Sequence, residues 1–465
     1  DLLLTQAHAA LRLGPLQLRA GRFHETMRLE QTSVTSGSLG FSGNALPIPQ
    51  VDAGMPDWWN LPGTFGFIQI KGNLSHGWLN PERPLQSAYL HKKMGFALIG
   101  GPSPVKIAGG AVHTALWGGY DPGYGAYPTG WEEYWKVFWV TGGTDDAPLG
   151  EDNYFLGDQR GYYNFGLYGE HPVWHLHLYK HILVDDKDGV KFKAFRDGIW
   201  GLSGVREQAP SDRWRSRFPT WWPVVNGFSY EYLYSKFQNG DNPPEITGGR
   251  GEAVGSGWDD YYTNYRYLEG WSYLGQTIGN PLFFNYFSPA ARGMDISVNN
   301  YRLVANNRIV AHHVGLEGVL PGRRAGRGLR AGMDSQGGTG SKAEMDAQAI
   351  PFRFMVTWSR NYGTYRGRQR SELVEQPYLL EEGPWSLSLL FEADVPLERI
   401  VNGVRGTGNG DGGDTAMAGR PSGAGRQGAE SPGTGPVVLV SAAADFGELL
   451  PRSFGLLLSL RWVLN

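Results

Sequence analysis

His175, His177 and His181 lie two and four residues apart in Val173–His181. On an extended strand, successive side chains point to opposite faces, so the three histidines share one face and could share a metal ion. No further ligand can be identified for them, and lining a polar interior is the simpler role. His312 and His313 are adjacent and therefore point apart. Three carboxylate pairs, Glu132–Glu133, Asp259–Asp260 and Glu381–Glu382, lie near aromatic residues. Glycoside hydrolysis needs two carboxyl groups roughly 5–9 Å apart across a sugar bond, which neighbours in sequence seldom supply alone. The run 408–414, GNGDGGD, has the composition of one copy of a calcium-binding Gly-Asp repeat. No phosphate-binding GxxxxGK[ST], HExxH or GxSxG pattern is present. The chain has no cysteine, which removes thiol chemistry, cysteine-ligated zinc and disulfides. Neither a metal site nor a cofactor is expected.

The aromatic residues are the stronger signal. The chain holds 17 Trp, 23 Tyr and 21 Phe, or 13% of its residues. Many fall in two long connections, Gly118–Asp158 and Asn239–Pro289. The first holds Tyr120, Tyr124, Tyr127, Trp131, Tyr134 and Trp135; the second holds Trp258, Tyr261, Tyr262, Tyr265, Tyr267, Trp271 and Tyr273. Flat rings stack on the apolar faces of sugars while acids and amides bond the hydroxyls. Trp131, Tyr134, Trp135, Trp258, Asp259, Asp260, Tyr261, Tyr262 and Trp271 are thus candidate glycan-binding residues. An interfacial aromatic girdle, or packing of loop on loop, would use the same residue types.

The elements that carry these residues alternate with period two. In Val173–His181, Trp174, Leu176 and Leu178 oppose His175, His177, Tyr179 and His181. In Phe228–Ser235, Phe228, Tyr230, Tyr232 and Tyr234 oppose Ser229, Glu231, Leu233 and Ser235. Phe352–Arg360, Trp385–Val395 and Phe454–Leu464 repeat the pattern, with Arg353 and Glu392 on polar faces. Further strands are expected at Ala9–Leu13, Leu16–Phe23, Gly66–Leu74, Ala88–Leu98, Val105–Leu116, Tyr162–Tyr168, Asp197–Val205, Ile296–Val304, Arg308–Val319 and Val437–Phe446. Roughly 14 to 16 strands of spanning length result. Helical periodicity is weak; only a turn or two before Gln348 is expected to be helical. A wall greasy on one face and polar on the other, without intervening helices, describes a large antiparallel transmembrane β-barrel, an all-β fold. A propeller would need blade repeats of roughly 40 to 50 residues, and none is visible. His175, His177, His181, Glu231, Arg353 and Glu392 then become candidate lumen-lining residues.

Composition agrees. No run of about 18 apolar residues exists, which excludes a helical membrane protein but not a barrel. The net charge of −3 argues against a nucleic-acid partner. The whole of 1–465 is read as one barrel, with Pro321–Ala349 and Gly403–Gly435 as flexible, Gly-rich loop insertions too poor in apolar residues to pack. Alternation of short turns and long loops matches an outer-membrane barrel, and parity places both aromatic connections on one side, taken as the outer face.

Several blocks resemble a known family. QIKGNLSHGWL (69–79), YLHKKM (89–94), GGAVHTALWGG (109–119), DQRGYYNFGLYGE (158–170), GWDDYYTNYRYLEGWSYLGQTIGNPLF (257–283), YRLVANNRIVAHHVGLEG (301–318) and TWSRNYGTY (357–365) occur in that order. Together with GSLGFSGNALPIP (37–49) they are similar to the capsule assembly Wzi family in its Bacteroidota-type form. The resemblance implies an outer-membrane barrel of 18 strands with a helical N-terminal portion, which this chain is then expected to lack. It implies a lectin-like, non-catalytic role in holding capsular or other exopolysaccharide at the surface of the bacterial cell. The expected partners are that glycan and outer-membrane lipid, and the barrel is expected to be monomeric. A porin or substrate-uptake channel is the alternative, since a polar lumen also permits diffusion.

Overall fold

The computed structural model describes residues 5–24, 29, 32–143, 155–185, 190–207, 222–240, 245–247, 252–254, 258–288, 291, 303–320, 350–368, 380–397, 437–450 and 452–461. Segments of 7 to 13 alternating residues form the wall. They are β1 (Ala7–Leu13), β2 (Leu16–Arg22), β3 (Pro49–Asn60), β4 (Ile68–Trp78), β5 (Tyr89–Ile99), β6 (Val105–Trp117), β7 (Asp158–Glu170) and β8 (Trp174–Val184). There follow β9 (Gly198–Arg206), β10 (Val224–Tyr234), β11 (Ile309–Leu320), β12 (Ile350–Asn361), β13 (Trp385–Pro396), β14 (Val437–Gly447) and β15 (Ser453–Arg461). Each wall strand pairs antiparallel with the next, giving one 15-stranded sheet in sequence order. The expected all-β, antiparallel fold is therefore present, with 15 wall strands among the described residues where the resemblance implied 18. No pairing among those residues joins β1 to β15.

Register fixes which face each side chain takes. His175, His177 and His181 of β8 stand opposite Glu170, Tyr168 and Asn164 of β7 and opposite Val205, Ser203 and Ile199 of β9. Leu176, Leu178, Trp200, Leu202, Phe165 and Leu167 are exposed on the outer face, while Asn164, His177, His181, Ser203, Ser229 and Glu231 are buried on the inner one. This inverts a water-soluble sheet, which buries its apolar face.

Two chain segments occupy much of the interior. Residues 32–48, from the β2–β3 connection, and 258–288, from the β10–β11 connection, pack against the inner faces of the wall. Leu39, Ile48, Tyr261, Tyr262, Trp271 and Phe283 join Leu90, Met94, Phe96, Tyr168 and Tyr179 in one core. Close approach of the first segment requires a glycine at 315 on β11. A Cβ there would lie 1.9 Å from the Val34 carbonyl oxygen and 2.6 Å from the Val34 Cβ.

Two sequence expectations change, and two others fall wholly or mostly outside the described residues. Pro49–Asn60 is a wall strand that alternation did not single out, because its register breaks between Met55 and Trp59. Ile296–Val304 contributes no wall strand among the described residues; only Leu303 and Val304 are described, and Val304 belongs to a short pair with the segment at Phe284–Asn285. Trp131–Trp139 is an α-helix, α1, with Glu132 and Glu133 in its first turn and a Glu132–Lys136 ion pair of 2.9 Å. Pro321–Ala349, Gly403–Gly435 and the short helix expected before Gln348 lie outside the described residues.

Gly315→Val is expected to expel the 32–48 segment while leaving the wall intact. Limited proteolysis should show new cleavage within 32–48, and strand content by circular dichroism should stay constant; unchanged protection of that segment would contradict the packing described.

Candidate functional site

The two candidate groups separate cleanly in space. Of the lumen group, all six face inward, but they do not line one open passage. His177 is buried and stacks flat on Tyr168, with ring centroids 4.0 Å apart and an interplanar angle of 4°. His181 is buried and meets the Asn164 amide at 2.8 Å. Glu231 accepts from the Tyr179 hydroxyl and from the Ser36 backbone N–H, each at 2.5 Å. Through Ser36, Glu231 ties the first filling segment to the wall. His175 sits nearer the turn end, 3.0 Å from a Glu207 carboxylate oxygen. Arg353 and Glu392, paired at 2.7 Å, border a cavity of about 520 Å³ at the short-turn end, with Ser33, Arg206, Glu317 and Asp394 around it. Among the described residues no group of three acidic or histidine side chains is arranged to hold a metal ion.

The expectation that Asn239–Pro289 projects outward as a glycan-binding loop is corrected by its course. Trp271 is 2% exposed; its indole N–H donates to the Gly40 carbonyl at 2.9 Å and its ring meets Phe41 edge-on. Tyr262 is buried, with its hydroxyl donating to the Leu39 carbonyl, and Tyr261 donates to Asp197 at 2.6 Å. Asp260 is buried, accepting from the Asn307 side-chain amide at 2.8 Å, and Asp259 accepts from the Asn239 amide at the same distance. Trp258 stacks on Tyr365 at 5.2 Å and 11°, with the Arg308 guanidinium 3.7 Å from the other ring's centroid. Aromatics this hydrophobic bury when an interior is available; the sequence alone did not say which side of the wall was open to them. Tyr261, Tyr262 and Trp271 are therefore packing residues in this structure.

The first connection behaves differently. Helix α1 lies against the outer wall, where Tyr134 and Val137 cover Trp117, Ala115 and Tyr89. Tyr134 packs near His91, and Lys93 donates to the Phe138 carbonyl at the helix end. Its opposite face carries Trp131, 72% exposed, with Trp135 and Trp139 one and two turns on. These three continue the apolar outer surface of the wall.

An exposed polar-aromatic surface does exist, at residues the sequence flagged only as part of the aromatic density. Tyr124, from the first connection, and Tyr265, from the second, are about half exposed, at 47% and 50%. The Arg266 guanidinium lies 5.8 Å from the Tyr124 centroid and 5.1 Å from that of Tyr265. Beneath them, Tyr127 meets Tyr267 edge-on at 6.2 Å, which locks the two connections together. Asp121 caps the turn below Tyr124 by accepting from the Gly123 and Tyr124 N–H groups. Two rings, a planar cation and nearby hydroxyl-bonding groups form a surface that can take a sugar face.

The filling segment is anchored at Asp197, just before β9. Its carboxylate accepts from the Gln238 N–H at 2.7 Å, the Phe237 N–H at 3.1 Å and the Tyr261 hydroxyl. Burial pushes the carboxyl up to about 6, above its ordinary 3.8, although these donors pull the other way. Arg83, also buried, ties the β4–β5 connection to the same segment through Glu269 at 3.3 Å and the Ser272 carbonyl at 2.5 Å.

No protein-family model matches the chain, and no curated protein matches it. Among solved structures it is similar to Wzi, an outer-membrane protein involved in group 1 capsule assembly in Escherichia coli and a carbohydrate-binding β-barrel. The two share 10% identity with a TM-score of 0.48, over 97% of this chain and 67% of that one. It is similar also to BamA from Haemophilus ducreyi lacking POTRA domains 1–3, at 9% identity and a TM-score of 0.36, over 89% of this chain and 62% of that one. At such identities and scores, no property of either protein is carried to this one.

Two outcomes follow for the anchor. Trp271→Ala removes a fully packed indole and its hydrogen bond, and is expected to cost about 3–5 kcal/mol in denaturant unfolding; a loss under about 1 kcal/mol would mean the indole is not a core residue. An acid whose folded pKa is raised is destabilised on ionising, so the cost is absent below about 4 and complete above about 6. Hydrogen exchange at Phe237 and Gln238, compared after correction for intrinsic rates, should therefore report rarer opening at pH 4 than at pH 7.5; the opposite trend would contradict the raised pKa.

Proposed function

We propose that this protein is an outer-membrane β-barrel with a filled lumen that holds a surface polysaccharide at its long-loop end, without turning it over. The membrane part rests on the inverted wall: leucine, phenylalanine and tryptophan side chains ring the outside, and polar ones are buried inside. The tryptophans of α1 extend that apolar surface at the side of the wall, where an amphipathic ring suits the lipid–water boundary. The glycan part rests on one observation, the exposed Tyr124–Arg266–Tyr265 surface built from two interlocked connections. The order of sequence blocks similar to the capsule assembly Wzi family points the same way. The acid pairs support a non-catalytic reading, since Asp259 and Asp260 are engaged by Asn239 and Asn307, and Glu381 pairs with Arg368 at 3.4 Å. Two segments packed into the lumen disfavour the channel alternative.

Replacing Tyr124 and Tyr265 together with Ala is expected to weaken retention of purified capsular polysaccharide about tenfold, equivalent to about 1.4 kcal/mol. Trp131→Ala, on the membrane-facing helix, should leave it unchanged. Equal retention by the double variant and the wild type in correctly inserted protein would sink the glycan reading. Planar-bilayer recordings should show no steady conductance; stable ohmic channels would restore the porin alternative.

A further inference from the structure

We infer that the outer wall carries a dedicated site for one anionic membrane lipid, in a groove between α1 and the β8–β9 connection. The inference rests on the proposal that the wall faces lipid. The groove encloses about 540 Å³, within the usual range of ligand pockets, and its surface is mostly apolar. Its floor is the outer face of β6 and β7, where Ala111 stands opposite Tyr163 and His113 opposite Gly161. The small side chains at 111 and 161 make the recess. Val140 and Phe155 close it on the α1 side, and Val190 on the other. Phe192, stacked on Tyr163 at 4.8 Å, holds the β8–β9 connection against the wall.

Charge selects the occupant. Two lysines line this apolar groove: Lys191, and Lys93, whose ammonium also donates to the Phe138 carbonyl. Asp185, the carboxylate on the same lining, is already paired with Arg160 at 2.8 Å. Among the described residues Lys191 has no carboxylate partner, and its neighbours Val190 and Phe192 are apolar and exposed. A long apolar trough continuous with the exposed wall residues Ile107, Phe165 and Leu167, and flanked by cations, fits an acyl chain whose phosphate headgroup meets the lysines. A zwitterionic lipid would fill the trough equally but gain less from the two charges.

The test uses the full chain in nanodiscs of equimolar phosphatidylglycerol and phosphatidylcholine, with retained lipid read by native mass spectrometry. Wild-type protein is expected to retain phosphatidylglycerol at least fivefold over phosphatidylcholine. Ala111→Trp, which fills the recess, should abolish retention, and Lys191→Gln should keep retention but remove the preference. Equal retention of both lipids by the wild type, no retained lipid, or full retention and preference in both variants would overturn the inference. Flotation with liposomes separates the two layers of the argument: protein that floats yet retains no lipid fails on the groove alone, whereas protein that does not float fails on the membrane reading as well.

Discussion

A wall that turns its apolar side chains outward has nowhere but the inside for its polar ones. Buried polar groups without partners cost about 1–3 kcal/mol each, so the interior must either admit water or supply partners. This protein supplies many of them from its own chain. The backbone of 32–48 gives a carbonyl to His313 and to Ser229, and an N–H to Glu231. The 258–288 segment gives a hydroxyl to Asp197 and carbonyls to Arg83 and Arg160. The apolar residues of the two segments then pack on each other, as Trp271 does on Phe41. The inner segments thus join a polar wall to an aromatic centre.

That constraint also sorts the aromatic residues by task. Rings that can reach the interior are buried and spend their polar tips on backbone carbonyls, as Tyr262 and Trp271 do. Rings on α1 cannot reach it, because the wall stands between; they lie outside and extend the greasy surface. Tyr124 and Tyr265 remain at the rim, half exposed around Arg266. One residue class serves core, lateral surface and rim, separated only by position along the two connections.

Much of the wall was legible in the sequence because its period is short and physical. The faces of β8 follow directly from reading every second residue from Trp174, and the inward placement of His177, His181 and Glu231 came with them. β3 was hidden because prolines at 49 and 56 and the register break after Met55 interrupt the period. α1 carries a helical signal, an acidic first turn and tryptophans at 131, 135 and 139, but a nine-residue element is short for a periodicity argument. The course of 258–288 was not legible at all. Nothing local distinguishes a tyrosine that stacks on a sugar from one that packs on Phe283; the deciding fact is the interior beside it, which the pairing of strands distant in sequence creates.

The interior segments also bear on how the chain assembles. Residues 32–48 and 258–288 are separated by some two hundred residues, yet Leu39, Gly40 and Ser42 bond directly to Tyr262, Trp271 and Ile278. Strands β3 to β10 lie between them in sequence and enclose them in space. Joining the two halves of the interior therefore closes a loop of some two hundred residues, and the wall strands between them are the body of that loop. Long-range contacts of this kind make assembly slow, because the entropy of closing a large loop is lost before the contacts repay it.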